Sequence, residues 1–199
     1  DLIQGRIAAE KGDLEEALVH TRRGLDGAEA AGNTFCSLTG YFMVADQQLR
    51  LGETEQAISH LERSTGLAEF CNAGGYEALG QAWLAAARAR MGVFDPEEFE
   101  EPLAKAIASH SRSVEAQIRF QRAVAVAGAG RPEDSFADFE RALDLFASYG
   151  ALPNQGRAHH AYGLALDAAN RSGDAEVHLR EAEGIFTRLG IRPDPVGDP

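Results

Sequence analysis

"AEKGDLEEALVHTRRGLDGAEAAG" (residues 9–32) and "LRLGETEQAISHLERSTGLAEFCN" (residues 49–72) share few letters, yet they are punctuated alike. Gly12 and Gly52, Ala17 and Ala57, His20 and His60, and Gly24 and Ser64 stand at matching offsets, forty residues apart. A chain that repeats its punctuation at a fixed distance builds one structural unit several times. Glycine and asparagine reach the left-handed conformation that closes a helix, so each of these glycines after a run of helix formers marks a helix stop.

Working outward, Gly12, Gly52, Gly92, Gly130 and Asn170 fall at intervals of 40, 40, 38 and 40 residues. A second set of stops, Gly32, Asn72, Gly150 and Gly190, lies twenty residues beyond four of them. Seven residues before the stops stand Gly5, Ala45, Ala85, Ala123 and Gly163, and five beyond stand Ala17, Ala57, Ser135 and Ala175. Small residues recur twelve beyond as Gly24, Ser64, Ala142 and Ala182. Two helices cross closely only where side chains are small, and larger residues three and four apart fill the grooves beside the crossing. One such hairpin cannot bury its apolar stripe alone, so hairpins must stack. The third unit departs from the pattern: Leu103 and Ala106 fit only if two residues are inserted in "GVFDPEEFEEPLAKA" (residues 92–106). Asp95, Pro96, Glu97 and Glu98 there read as a helix start, with a capping acid, proline in the first turn and carboxylates at the dipole's positive end. They are not read as a catalytic carboxylate cluster.

Composition agrees with an all-α chain: alanine and glycine are abundant, and proline is scarce until the last residues. The net charge of −12, from 31 acids against 19 Lys and Arg, repels phosphate backbones and argues against direct nucleic-acid binding. No apolar run approaches the ~20 residues of a membrane span. Cys36 and Cys71 are too few for a disulfide framework and lack metal-ligand spacing, so free thiols in a cytosolic protein are expected.

The paired small residues, Gly5 with Ala17, Ala45 with Ala57, Ala123 with Ser135 and Gly163 with Ala175, resemble those of tetratricopeptide (TPR) repeats. Leu61 with Ser64, Phe139 with Ala142 and Leu179 with Ala182 match that family's later positions. The resemblance covers nearly the whole chain. It implies a right-handed α-α superhelix of antiparallel helix pairs over residues 1–190, in units of about 1–32, 33–72, 73–113, 114–150 and 151–190, with 191–199 an irregular tail. The unit is about 40 residues rather than the standard 34, and the closing proline is absent. "ERALDLFASYGALPNQGRAHHAYGLAL" (140–166) and "AEVHLREAEGIFTRLGI" (175–191) look like the long-unit repeats of large bacterial signalling proteins. Those proteins join an ATPase module to such repeats and often to a LuxR-type DNA-binding or nucleotide cyclase domain. No phosphate loop, cyclase motif or DNA-binding helix pair occurs in these 199 residues. Only about eleven residues precede Gly12, so the first unit reads as truncated and the chain as a fragment of a longer protein. An edge at Leu2, Ile3 and Ile7 left open in this way predicts self-association.

In TPR proteins one face of each first helix lines the concave groove. Here the positions thirteen, ten, six, three and two before each stop give Phe42, Asp46, Leu49 and Arg50, then Ala82, Ala86 and Arg90. Gln117, Phe120 and Val124, then Arg157, His160 and Leu164, continue the face. An apolar floor rimmed by arginine suits a peptide with acidic side chains. The lysine and asparagine of the chaperone-binding carboxylate clamp are missing from it. Arg119 and Arg122 stand where other units place apolar residues. Either an acid such as Asp134 or Asp138 pairs with them, or they contact a ligand in the groove. His20, His60 and His178 share one offset but sit on separate storeys roughly 10 Å apart, and His159 and His160 diverge on one helix, so no metal site is expected. Arg23, Arg63, Lys105 and Arg141 read as a solvated, salt-bridged face. Nucleophile elbows, metal motifs and phosphate loops are absent. The expected function is therefore a non-enzymatic interaction module without a cofactor. The alternative is a small-molecule sensor built around Phe42, Trp83 and Phe120.

Overall fold

The computed structural model describes residues 1–192, so the tail expected to be irregular lies largely outside the described residues. It contains α1 (Leu2–Glu10), α2 (Leu14–Ala30), α3 (Thr34–Arg50), α4 (Thr54–Phe70) and α5 (Gly74–Arg90). A 3-10 turn (Pro96–Phe99) then leads into α6 (Glu100–Ala108), followed by α7 (Arg112–Gly128), α8 (Pro132–Ser148), α9 (Leu152–Ala168) and α10 (Ser172–Leu189). No strand occurs among the described residues. Consecutive helices pair as five antiparallel hairpins, and each hairpin packs on the next to form a right-handed superhelix.

The predicted stops are where the backbone turns left-handed. Gly12, Gly52, Gly92, Gly130 and Asn170 have φ of 80°, 81°, 84°, 78° and 61°. Gly32, Asn72, Gly150 and Gly190 follow at 65°, 53°, 71° and 63°. The third unit closes on His110, at φ 53°, a stop that residue type does not announce. Its insertion is the expected helix start: the Asp95 carboxylate accepts a hydrogen bond from the Glu97 N–H at 2.9 Å, and Pro96 opens the turn. The two extra residues let Phe99 enter the core beside Leu103 and Ala106.

The small residues sit at the helix crossings. Ala17, Ala45, Ala57, Ala123 and Ser135 are fully buried. A Cβ on Gly5 would lie 2.1 Å from Thr21 Oγ1 and 3.1 Å from the Ala17 carbonyl, so α1 and α2 meet there at a distance only glycine permits. Around the crossings, Leu38, Leu61, Phe99, Ile118, Phe139, Phe146 and Leu166 fill the space within and between hairpins. Phe139 of α8 stacks on Tyr162 of α9, with centroids 5.2 Å apart and planes inclined at 15°. Polar ties repeat the register: Gln47 donates to Thr21 Oγ1 at 2.9 Å, and Ser64 donates to the Leu38 carbonyl at 2.9 Å.

The superhelix brings its last unit to its first. Arg157 of α9 reaches Glu10 of α1 at 3.4 Å, and the Arg192 N–H donates to the Lys11 carbonyl at 3.0 Å. The Arg192 guanidinium pairs with Asp13. Leu2 packs over Gly24 and Gly40, whereas Ile3 and Ile7 stay 70% and 52% exposed.

Candidate functional site: the inner groove

With every hairpin in the same orientation, the first helices α1, α3, α5, α7 and α9 form the inner layer. Between them lies a cavity of about 680 Å³. All its described lining residues come from those five helices, and none from a second helix. Leu2 and Ile3 of α1, Phe42 and Leu49 of α3, Leu79 and Trp83 of α5, and Phe120 and Val124 of α7 supply apolar wall. Phe42 and Trp83 face each other with centroids 4.9 Å apart. Trp83 is 93% buried by the complement of its 7% exposure, and its Nε1 donor is buried without a protein acceptor.

The charge of the groove opposes that of the molecule. Arg6, Arg50, Arg90 and Arg157 line it, against Glu10 and Asp46. It thus holds four of the chain's 19 basic residues but two of its 31 acids, an excess of two positive charges in a protein of net −12. Among their contacts, Arg50 lies 3.9 Å from Asp46, Arg157 lies 3.4 Å from Glu10, and Arg90 donates to the Leu49 carbonyl at 2.9 Å. Gln117, Gln121 and Asn154 add amides to the wall.

Of the ten residues singled out from the sequence, Phe42, Asp46, Leu49, Arg50, Arg90, Gln117, Phe120 and Arg157 line this cavity. Arg122 and His160 lie elsewhere. His160 borders a separate pocket with Leu179, Phe186 and Ile191, between α9 and α10. Ala82 and Ala86 pack into the core instead of the lining. α1 joins the groove at the same offsets: positions ten, six and two before Gly12 are Leu2, Arg6 and Glu10, all of which line it. Trp83 falls outside that offset series and reaches the groove through the length of its side chain.

Arg122 joins a buried network between α7 and α8. Its Nε and Nη2 donate to the two oxygens of Asp138 at 2.5 and 2.9 Å, and Nη1 donates to Glu100 at 3.0 Å. Arg119 donates to the same Asp138 at 2.8 Å and to Glu115 at 2.9 Å. Hydrogen bonding to Asp138 raises the Arg122 pKa above its ordinary value, against the opposing effect of burial. Asp138, 6% exposed, therefore holds two guanidinium groups, while Asp134 pairs with Arg131 at 2.7 Å.

Repeat offsets did not anticipate one contact: His159 of α9 meets His178 of α10, with Nδ1 atoms 2.8 Å apart. Burial lowers both pKa values, and for His159 the neighbouring His178 adds to the effect. Tyr162, against the His178 ring and donating to Glu140, is pushed up to about 12, chiefly by burial. No group of three or more His, Cys, Asp or Glu among the described residues could hold a metal ion. Arg63 lies over the Tyr41 ring, Lys105 pairs with Glu77 and Glu101, and Arg141 reaches Glu115, so these three cations have local partners. Cys36 and Cys71 are free thiols, and no described helix is long and apolar enough to cross a membrane.

No family model matches this chain, and no curated protein matches it. Solved structures do. The chain is similar to BtubC (BKLC) from P. vanneervenii at 17% identity and a TM-score of 0.58, over 96% of this chain and 81% of that one. It is also similar to a kinesin light chain protein of Podosopora anserina with nearly identical TPR-like repeats, at 16% identity and a TM-score of 0.51, over 93% of this chain and 92% of that one. At these identities the likeness is one of fold, and the fold is a TPR-like solenoid.

Proposed function

We propose that this chain is a non-enzymatic, TPR-like interaction module of a larger bacterial signalling or transcriptional regulator. Its inner groove holds a short acidic segment, anchored by an apolar side chain, from a partner protein or a neighbouring domain. The observation that carries this reading is the reversal of charge: the five first helices turn an arginine-rich, aromatic wall inward while the molecule as a whole is strongly acidic. An arginine fork matches a carboxylate in geometry as well as charge, and Phe42, Trp83 and Phe120 offer flat surface to an anchoring side chain. Both groove carboxylates lie against arginines, and neither histidine nor cysteine occurs among the described lining residues. That composition suits recognition better than proton transfer or nucleophilic attack.

An array of short peptides of varied charge, followed by fluorescence anisotropy on the best binders, tests the reading. The selected peptides should carry aspartate or glutamate next to a bulky apolar residue, and they should bind more weakly as salt rises. Selection of basic or uncharged peptides, or binding indifferent to salt, would refute it.

A further inference from the structure

The groove is bounded more tightly than an open channel. Arg157 and Glu10 bridge α9 to α1, and Arg192 ties the end of the last hairpin to Lys11 and Asp13, so the two ends of the superhelix meet beside the cavity. The groove's volume of about 680 Å³ lies within the roughly 300–1,000 Å³ typical of small-molecule sites. Its walls divide by chemistry. Phe42 and Trp83 form a flat apolar face on α3 and α5, with Leu79 beside them. Arg50 and Arg90, at the ends of the same two helices, bring positive charge, and Arg157 adds a third cation from α9. The Trp83 Nε1 donor is buried with no protein acceptor, a deficit that a ligand oxygen would remove.

We propose that a compact organic anion with a flat apolar body binds in this chamber and displaces the acidic segment, making the groove a ligand-controlled docking site. The inference rests on the groove being the docking surface described above. The anion's ring lies against Phe42 and Trp83, and its acid group lies among Arg50, Arg90 and Arg157. Each of those arginines has a partner within the protein and also borders the groove. An incoming carboxylate that meets a guanidinium edge-on makes two parallel, charge-assisted bonds. Segment and anion draw on the same cations and the same wall, and a chamber of this size does not hold both.

Trp83 is the sole tryptophan, so its emission reports occupancy directly. The protein is titrated with benzoate, phenylacetate and 2-naphthoate, with benzamide and 2-naphthol as neutral counterparts and acetate as the anion without a ring. In parallel, displacement of a rhodamine-labelled acidic peptide taken from the array is followed by anisotropy. The ring-bearing carboxylates should change Trp83 emission saturably, at concentrations at least tenfold below those at which the neutral compounds or acetate act. They should release the peptide over the same range. Arg90→Gln and, separately, Arg50→Gln should weaken both effects while thermal melting stays near wild type. Equal responses to the neutral and charged ring compounds would overturn the proposal. So would a peptide that stays bound while the anion saturates Trp83. Failure of every acidic peptide to bind, with anion binding intact, would instead strike the docking reading.

Discussion

The chain contains two sets of inward-pointing arginines that look alike on paper and differ in surroundings. Arg119 and Arg122, on α7, face the second helix of their own hairpin and converge on Asp138 through bonds of 2.5–2.9 Å. Arg50, Arg90 and Arg157, on α3, α5 and α9, line the cavity between the first helices. The difference follows from helical phase. Arg122 stands eight and Arg119 eleven residues before its stop, on the side of the helix that meets its partner. Arg50 and Arg90 stand two before theirs, a quarter turn or more away. The first set is desolvated and must be paired, so it belongs to stability. The second set is buried to a similar degree but lines the groove, within reach of a ligand that enters it.

The comparison is broken most forcefully at Asp138. Asp138→Asn removes the buried acid shared by two part-buried guanidinium groups, leaving Arg119 with Glu115 and Arg122 with Glu100, and should cost about 3 kcal/mol. In a domain of this size that lowers Tm by roughly 6–12 degrees, measurable by calorimetry. Next comes the hairpin seam itself. Ala45→Leu adds three heavy atoms where exposure is zero and should cost about 1–3 kcal/mol by the same measurement.

A third effect depends on pH. His159 and His178 have lowered pKa values in the folded state, so folding favours their neutral forms. That contribution is present above the ordinary histidine pKa of about 6.5 and is lost as pH falls through it. The carboxylates of Glu181, Asp174 and Glu140 oppose part of the shift. The melting temperature should therefore fall between pH 7 and pH 5, with a slope up to about 1.4 kcal/mol per pH unit for each proton taken up only on unfolding. His178→Gln should flatten the profile; an unchanged slope would remove the pair from the explanation. The smallest stability effect belongs to the groove: Arg90→Gln should change folding by about 1 kcal/mol, less than either change above, because Gln keeps a donor for the wall that Arg90 lines.

Much of this was legible in the sequence because the fold is a repeat. Small residues at Gly5, Ala45, Ala123 and Gly163 announce the crossings, and left-handed glycines announce the helix ends, through backbone sterics that do not depend on tertiary context. The groove was legible in part from the offsets: Phe42, Asp46, Arg50, Gln117, Phe120 and Arg157 line it, as do Leu2, Arg6 and Glu10 before Gly12, whereas Ala82, Ala86 and His160 at the same offsets do not. What escaped had no periodic signature. His110 closes a helix in a conformation that few residue types advertise. His159 meets His178 because α10 lies across α9, a relation between different offsets. His160 keeps its predicted phase on α9 yet borders a pocket shared with α10, a placement the offset alone does not give. The choice between ion pair and ligand contact for Arg122 was decided by which acid stands opposite, and helical phase alone does not name Asp138 over Asp134.

The central claim is that phase along the first helix separates arginines that hold the fold from arginines that recognise a ligand. It is tested most directly by measuring melting temperature and acidic-peptide affinity on the same two proteins, Arg122→Met and Arg90→Gln. The account predicts that Arg122→Met melts several degrees lower and binds as the wild type does below its transition. It predicts that Arg90→Gln melts nearly as the wild type does and binds at least tenfold more weakly. The reverse pattern, or parallel losses in both proteins, would contradict it.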